Sequence, residues 1–129
     1  MDKKVVMVFD DDKDTLMLCS IILERAGYQV FTCSNSNDIV EKVEAHMPNA
    51  ILMDNWIPEL GGVKATQLLK ANDKTKAIPV IFFSANNEIK SLKEEAGADD
   101  YISKPFDIFD FEKTIKQVIQ QSEDIELNA

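Results

Sequence analysis

Short apolar runs alternate with amphipathic stretches five times along this chain of 129 residues. A parallel strand covered on both faces needs an unbroken apolar run, and the return to the next parallel strand needs a crossover, usually a helix. The alternation therefore predicts an α/β fold with a five-stranded parallel sheet and disfavours a sandwich or a helical bundle. Strands are expected near 4–9, 29–33, 50–53, 78–83 and 99–102, and helices near 14–26, 37–46, 63–71, 87–96 and 107–121. Gly27 and Gly97 stand just past helical patterns, where a left-handed cap belongs, while Pro48, Pro58, Pro79 and Pro105 all avoid helix interiors. The last helix carries the clearest stripe, Ile108, Phe111, Ile115, Val118 and Ile119, and the polar SEDIELNA is expected to follow it as a tail. The length suits one domain, placed at 1–122, with 123–129 a short acidic tail and no output domain.

Polar groups stand where these runs end: Asp10 and Asp11 after VVMVF, Asp54 after AILM, Ser84 closing IPVIFFS, and Lys104 shortly after DYI. Ligands of open α/β sheets bind outside the carboxyl ends of the strands, so these separate segments are expected to build one site. Three carboxylates, a hydroxyl and an ammonium suit a hard divalent cation, Mg2+, together with a phosphoryl group. Neighbouring aspartates at a strand end repel one another, and a cation relieves that repulsion. Asp12 and Asp14 are read differently, as residues that accept N–H bonds at a helix start. Asp54 precedes the Pro- and Gly-punctuated loop NWIPELGG, which should expose its carboxylate as a nucleophile toward phosphorus.

The remaining features are bland. A formal charge of −9 disfavours direct contact with nucleic acid or anionic membrane. No run reaches the roughly 18 apolar residues of a membrane span, and the amino terminus does not read as a signal peptide, so a cytoplasmic protein without membrane insertion is expected. Cys19 and Cys33 lack any metal-binding spacing and are read as buried reduced thiols. His46, the only histidine, is read as solvent-facing.

VFDDD (8–12), MDNWIPELGG (53–62), FFSAN (82–86) and GADDYISKPF (97–106), in this order and at these separations, resemble the response-regulator receiver domains of bacterial two-component signalling, over residues 3–121. The resemblance implies a doubly wound, flavodoxin-like sheet with strand order 2-1-3-4-5. It implies that Asp54 is the phosphoacceptor, that Asp11, Asp54 and the Trp56 backbone carbonyl bind Mg2+ directly, and that Asp10 helps through water. Ser84 would hydrogen-bond a phosphoryl oxygen, Lys104 would pair with another, and the Lys104–Pro105 bond would be cis. Ser84 and Tyr101 match the switch pair, whose aromatic member turns inward upon phosphorylation. Departures from the common pattern are Asn55, Ser84 in place of Thr, and Gly61, which beside Gly62 is expected to loosen the loop after Asp54. The phosphodonor would be a phosphohistidine on a histidine kinase or a histidine phosphotransfer protein, and the output would be binding of a downstream protein target.

On the first helix, Thr15, Leu18, Cys19, Ile22 and Ala26 are read as the core stripe. Leu16, Met17 and Ile21 fall off it and are read as an exposed apolar patch for partner docking, as the resemblance also implies for this helix. Two alternatives stand beside this reading. DKDTL at 12–16 resembles the aspartate motif of haloacid-dehalogenase-like phosphatases, with Asp12 as nucleophile, although the Gly before Thr-Leu and room for a cap are missing. The chain is otherwise a receiver cut from a larger hybrid kinase or regulator.

Overall fold

The computed structural model describes residues 3–127. The element order is β1 (Val5–Phe9), α1 (Lys13–Arg25), β2 (Gln29–Cys33), α2 (Ile39–His46), β3 (Ala50–Met53), α3 (Gly62–Ala71), β4 (Val80–Ser84), α4 (Ile89–Ala96), β5 (Asp100–Ser103) and α5 (Ile108–Leu127). The strands form one sheet in the order β2-β1-β3-β4-β5, and every neighbouring pair is parallel. β4 begins at Val80 rather than 78, because Pro79 has no N–H to give to a ladder.

The side-chain alternation of the central strands sorts the core into two layers. Val6 and Val8 of β1, Ala50 and Leu52 of β3, and Ile81 and Phe83 of β4 face α1 and α5, where Leu16, Cys19, Phe111 and Ile115 meet them. Met7, Phe9, Ile51, Met53, Val80 and Phe82 face the other way, onto Ile39 and Val43 of α2, Ala65 and Leu69 of α3, and Ile89 of α4. Each buried Leu, Ile or Phe contributes about 1.5–3 kcal/mol from removal of its surface from water. β1 and β3 are covered on both sides and carry the strand ends on which the site depends.

Two helix assignments change. On α1 the core residues are Leu16, Cys19, Ile22 and Leu23, whereas Leu18 is 46% exposed, Thr15 is only half-buried and Ala26 is exposed. Leu16 is therefore not part of an exposed docking patch; it packs in the layer beneath the helix. Both candidate stripes have apolar residues at three-and-four spacing, and which one meets the sheet depends on how the helix is seated, which periodicity alone does not specify. Met17 and Ile21 remain exposed, at 64% and 49%, and Leu18 joins them. At the other end of the chain, α5 continues through the segment read as a tail as far as Leu127, while residues 128–129 lie outside the described ones. An ion pair from Lys4 to Glu123 and a Gln120–Asp124 hydrogen bond of 3.1 Å, one turn apart, support the added turns. Ile108, read as part of the stripe, is 54% exposed at the start of this helix.

Cys19 is buried and its thiol is pushed up to about 12 by that burial, while Cys33 is half-buried; both are free. His46 is exposed and stacks on Phe31 with ring centroids 3.9 Å apart. Gly27 and Gly97 adopt positive φ, as expected of left-handed caps. Among the described residues, no helix is long and apolar enough to cross a membrane.

Candidate functional site

The chain leaves β1 for β2 on one side and returns to β3 on the other, so β1 and β3 flank the point where the winding reverses. A crevice opens there at the carboxyl ends of the strands. Single backbone hydrogen bonds extend the ladders just past the strands: Asp10 N–H donates to the Cys33 carbonyl (3.1 Å), Asp54 N–H to Phe9 (2.9 Å) and Lys104 N–H to Ser84 (3.0 Å). The sheet thereby fixes the main chain at three of the five groups expected from the sequence. They line one cavity of about 500 Å³ together with Asp11, Ser84 and Trp56.

Carboxylate oxygens of Asp10, Asp11 and Asp54 lie within 4.8 Å of one another. Lys104 reaches across the strand ends to bridge two of them, donating to Asp10 Oδ2 at 2.5 Å and Asp54 Oδ1 at 3.1 Å, with its ammonium 4.5 Å from the Phe83 ring centroid. The second oxygen of Asp54 accepts from Trp56 N–H at 3.1 Å, and the second of Asp10 accepts from Asp12 N–H at 3.0 Å. Ser84 Oγ accepts from Asn86 N–H at 3.2 Å. The Lys104–Pro105 peptide bond is cis.

Burial pushes the Asp54 carboxyl above its ordinary value; Lys104 pulls it down, the charge of Asp10 adds to the rise, and the rise wins. Burial pushes the Lys104 ammonium down, but its bonds and charge attraction to Asp10 and Asp54 outweigh that, leaving it raised. Three carboxylates meet here, and the one ammonium pairs with two of them. This all-oxygen donor set with surplus negative charge fits a hard divalent cation.

Asp12 does not belong to this set in the same way. Its carboxylate caps α1, accepting from Thr15 Oγ1 at 2.6 Å and from Asp14 N–H at 3.4 Å, and the Thr15 bond holds its carboxyl below the ordinary value. A helix-cap role was expected, and the nucleophile that a phosphatase reading requires is committed elsewhere. Tyr101, on β5 and in register with Phe82, is 37% exposed.

The Asp54 loop is tied rather than loosened by its glycines. Gly61 N–H donates to Ile57 at 3.0 Å and Gly62 N–H to Asn55 at 2.9 Å. A Cβ on Gly62 would lie 2.4 Å from the Asp54 carbonyl oxygen, so this glycine is needed for close approach of α3 to the site. One further residue escaped the sequence reading: Ser36, fully buried, which binds the far side of the same loop. In the sequence it lies in SNSND, which reads as a solvated loop and carries no signal of burial.

Comparison with known proteins points to one family. The model of the response regulator receiver domain matches residues 6–116. The chain is 33% identical over 125 residues to the alkaline phosphatase synthesis transcriptional regulatory protein PhoP of Bacillus subtilis, covering 95% of this chain and 51% of PhoP. It thus spans about half of that regulator. It is 31% identical over 119 residues to the polar-differentiation response regulator DivK of Brucella anthropi, covering 90% of this chain and 96% of DivK. Among solved structures, the receiver domain of a sensor histidine kinase from Pseudomonas aeruginosa PAO1 superposes with a TM-score of 0.84 at 25% identity, over 92% of this chain and 99% of that one. That protein was crystallised with a magnesium ion coordinated in its active site cleft. A sheet ordered 2-1-3-4-5, acidic strand ends bridged by a lysine, and a family match across most of the chain lead to one conclusion: this chain belongs to the response regulator receiver domains of two-component regulatory systems.

Proposed function

We propose that Asp54 accepts a phosphoryl group from a phosphohistidine on a histidine kinase or histidine phosphotransfer protein, and that the protein then signals by binding a downstream protein. The observation that carries this reading is the placement of Asp54: 4% exposed as a residue, yet lining an open cavity, with its carboxylate held from both sides by Lys104 and Trp56 N–H. One Asp54 oxygen attacks phosphorus, the N–P bond breaks, and its electron pair returns to the donor imidazole. Lys104, released from the carboxylate it pairs with, meets a phosphoryl oxygen, and the Ser84 hydroxyl donates to another. Asp10, Asp11, Asp54 and the Trp56 carbonyl would hold Mg2+, which when bound supplies positive charge against the phosphoryl oxygens. The protein is a phosphoacceptor that assists its own phosphorylation and dephosphorylation, not an enzyme acting on a separate substrate.

Ser84 and Tyr101 form the proposed switch. Ser84 sits at the end of β4, and its recruitment to the phosphoryl group alters packing beside β5, where Tyr101 rests partly in solvent. Docking of the donor is assigned to Met17 and Ile21 of α1, with Leu18 beside them, because three apolar side chains next to an acidic site suit a protein contact. The test is phosphotransfer from a panel of phosphorylated histidine kinases, read by intact-protein mass spectrometry. Wild type should gain one phosphoryl group in a magnesium-dependent way and Asp54→Asn none; equal gain by the variant would overturn the assignment.

A further inference from the structure

The buried hydroxyl of Ser36, on the connection between β2 and α2, does something unusual to the loop that follows Asp54. Its Oγ donates to the Pro58 carbonyl at 2.6 Å and accepts from Leu60 N–H at 2.9 Å, while Ser36 N–H donates to the same Pro58 carbonyl at 3.0 Å. Pro58 and Leu60 are the neighbours of Glu59, which holds φ at 86°, a left-handed value unfavourable for a residue with a side chain. One side-chain oxygen thus grips the main chain on both sides of the strained residue. Only a hydroxyl both donates and accepts at a single atom in so small a space. The grip sits inside the turn closed by Gly61 N–H on the Ile57 carbonyl, and Ile57 is buried in the core. Upstream, the same stretch begins at Trp56, whose N–H holds Asp54 Oδ2.

We infer that Ser36 is a positioning residue: by clamping the turn at Glu59 it fixes the main chain from Trp56 to Gly61 in the arrangement that the cation and phosphoryl group require. Ser36 does not line the cavity and touches neither group. It acts through the loop, as outer partners of metal ligands do when they fix ligand orientation. The inference rests on the reading of the Asp54 cluster as a magnesium and phosphoryl site.

The test uses the single tryptophan, Trp56, as a fluorescent reporter during titration with magnesium chloride, alongside urea unfolding and amide exchange of residues 55–62. Ser36→Ala is expected to weaken magnesium binding about tenfold and to speed exchange in 55–62. Glu59→Gly removes the strain that the clamp holds, so adding it to Ser36→Ala should recover most of the affinity, as should Ser36→Thr, which keeps a hydroxyl. A general loss of packing would not be repaired by a glycine. Ser36→Ala titrating like wild type, or a double variant as weak as Ser36→Ala, overturns the clamp. A wild type whose tryptophan ignores magnesium would overturn the reading of the site instead; exchange in 55–62 of Ser36→Ala, faster or unchanged, then decides the clamp by itself.

Discussion

Replacing Gly62 with alanine should damage stability and phosphorylation together, and the structure gives the reason in distances. The added Cβ would stand 2.4 Å from the Asp54 carbonyl oxygen, 2.9 Å from Asn55 Cα and 3.0 Å from the Asp54 carbonyl carbon. Ordinary contact begins near 3.4 Å, so the backbones must separate by about 1 Å, and no flexible side chain is available to yield. Alanine gains about 1 kcal/mol over glycine in helix propensity at most. Against that stand overpacking, about 1–3 kcal/mol, and strain on the Gly62–Asn55 hydrogen bond, about 1 kcal/mol. The balance is a loss of about 1–3 kcal/mol, read as a lower urea midpoint with an unchanged slope. The displaced atoms belong to the proposed phosphoacceptor itself, so labelling by acetyl phosphate should fall at least about tenfold. Gly27→Ala is the control: its φ of 99° is strained for alanine, but nothing lies within 4 Å of the added carbon. It should cost about 1 kcal/mol and leave labelling intact. Wild-type stability and labelling in Gly62→Ala would refute the close-approach reasoning, and equal loss of labelling in Gly27→Ala would show that labelling tracks stability alone.

Asp11→Ala should abolish the magnesium response of Trp56 fluorescence; an unchanged titration would remove Asp11 from the cation site. Trp56→Ala should lose its phosphoryl group faster than wild type at the same magnesium concentration, since the indole lines the cavity beside Asp54 and its loss opens that cavity to water; equal or slower decay counts against shielding. Ile21→Glu should cut transfer from the cognate kinase about tenfold while acetyl phosphate labels it normally, and equal loss with both donors would point to the fold. Because the Asp54 carboxyl is raised, the folded state holds its proton to higher pH than the unfolded chain does, so stability falls as pH rises from the ordinary carboxylate range through the raised value. With a chelator present, Asp54→Asn should therefore melt above wild type at pH 7 and lose that advantage below about pH 3.5; a variant less stable at pH 7 would refute the sign.

The sequence announced the sheet and the strand-end groups because both depend on local signals. VVMVF and AILM are apolar without interruption, which only strands covered on both faces require, and Asp10 and Asp54 follow them directly. The face of α1 was not legible: Leu16 and Leu18 are chemically alike, and the seating of the helix on the sheet decides which is buried. The extent of α5 was missed because residues 122–127 are mostly polar and their apolar members, Ile125 and Leu127, stay exposed, while the contacts that hold the added turns include Lys4, over a hundred residues away in sequence. Gly61 and Gly62 suggested freedom, but the tight approach of Gly62 to Asp54 is a tertiary fact. Ser36 had no signal at all, since its partners Pro58 and Leu60 lie more than twenty residues downstream.

Lys104 joins Asp10 across 94 positions of sequence and Asp54 across 50. Lys104 thus reaches the proposed acceptor only after β5, the last strand in chain order, has docked on β4. A growing or partly unfolded chain carries Asp54 without its cation partner, and contacts of such long span form late. On the proposed reading, competence for phosphorylation therefore depends on the whole sheet: a copy whose β5 has not docked on β4 lacks the Lys104 ammonium beside Asp54.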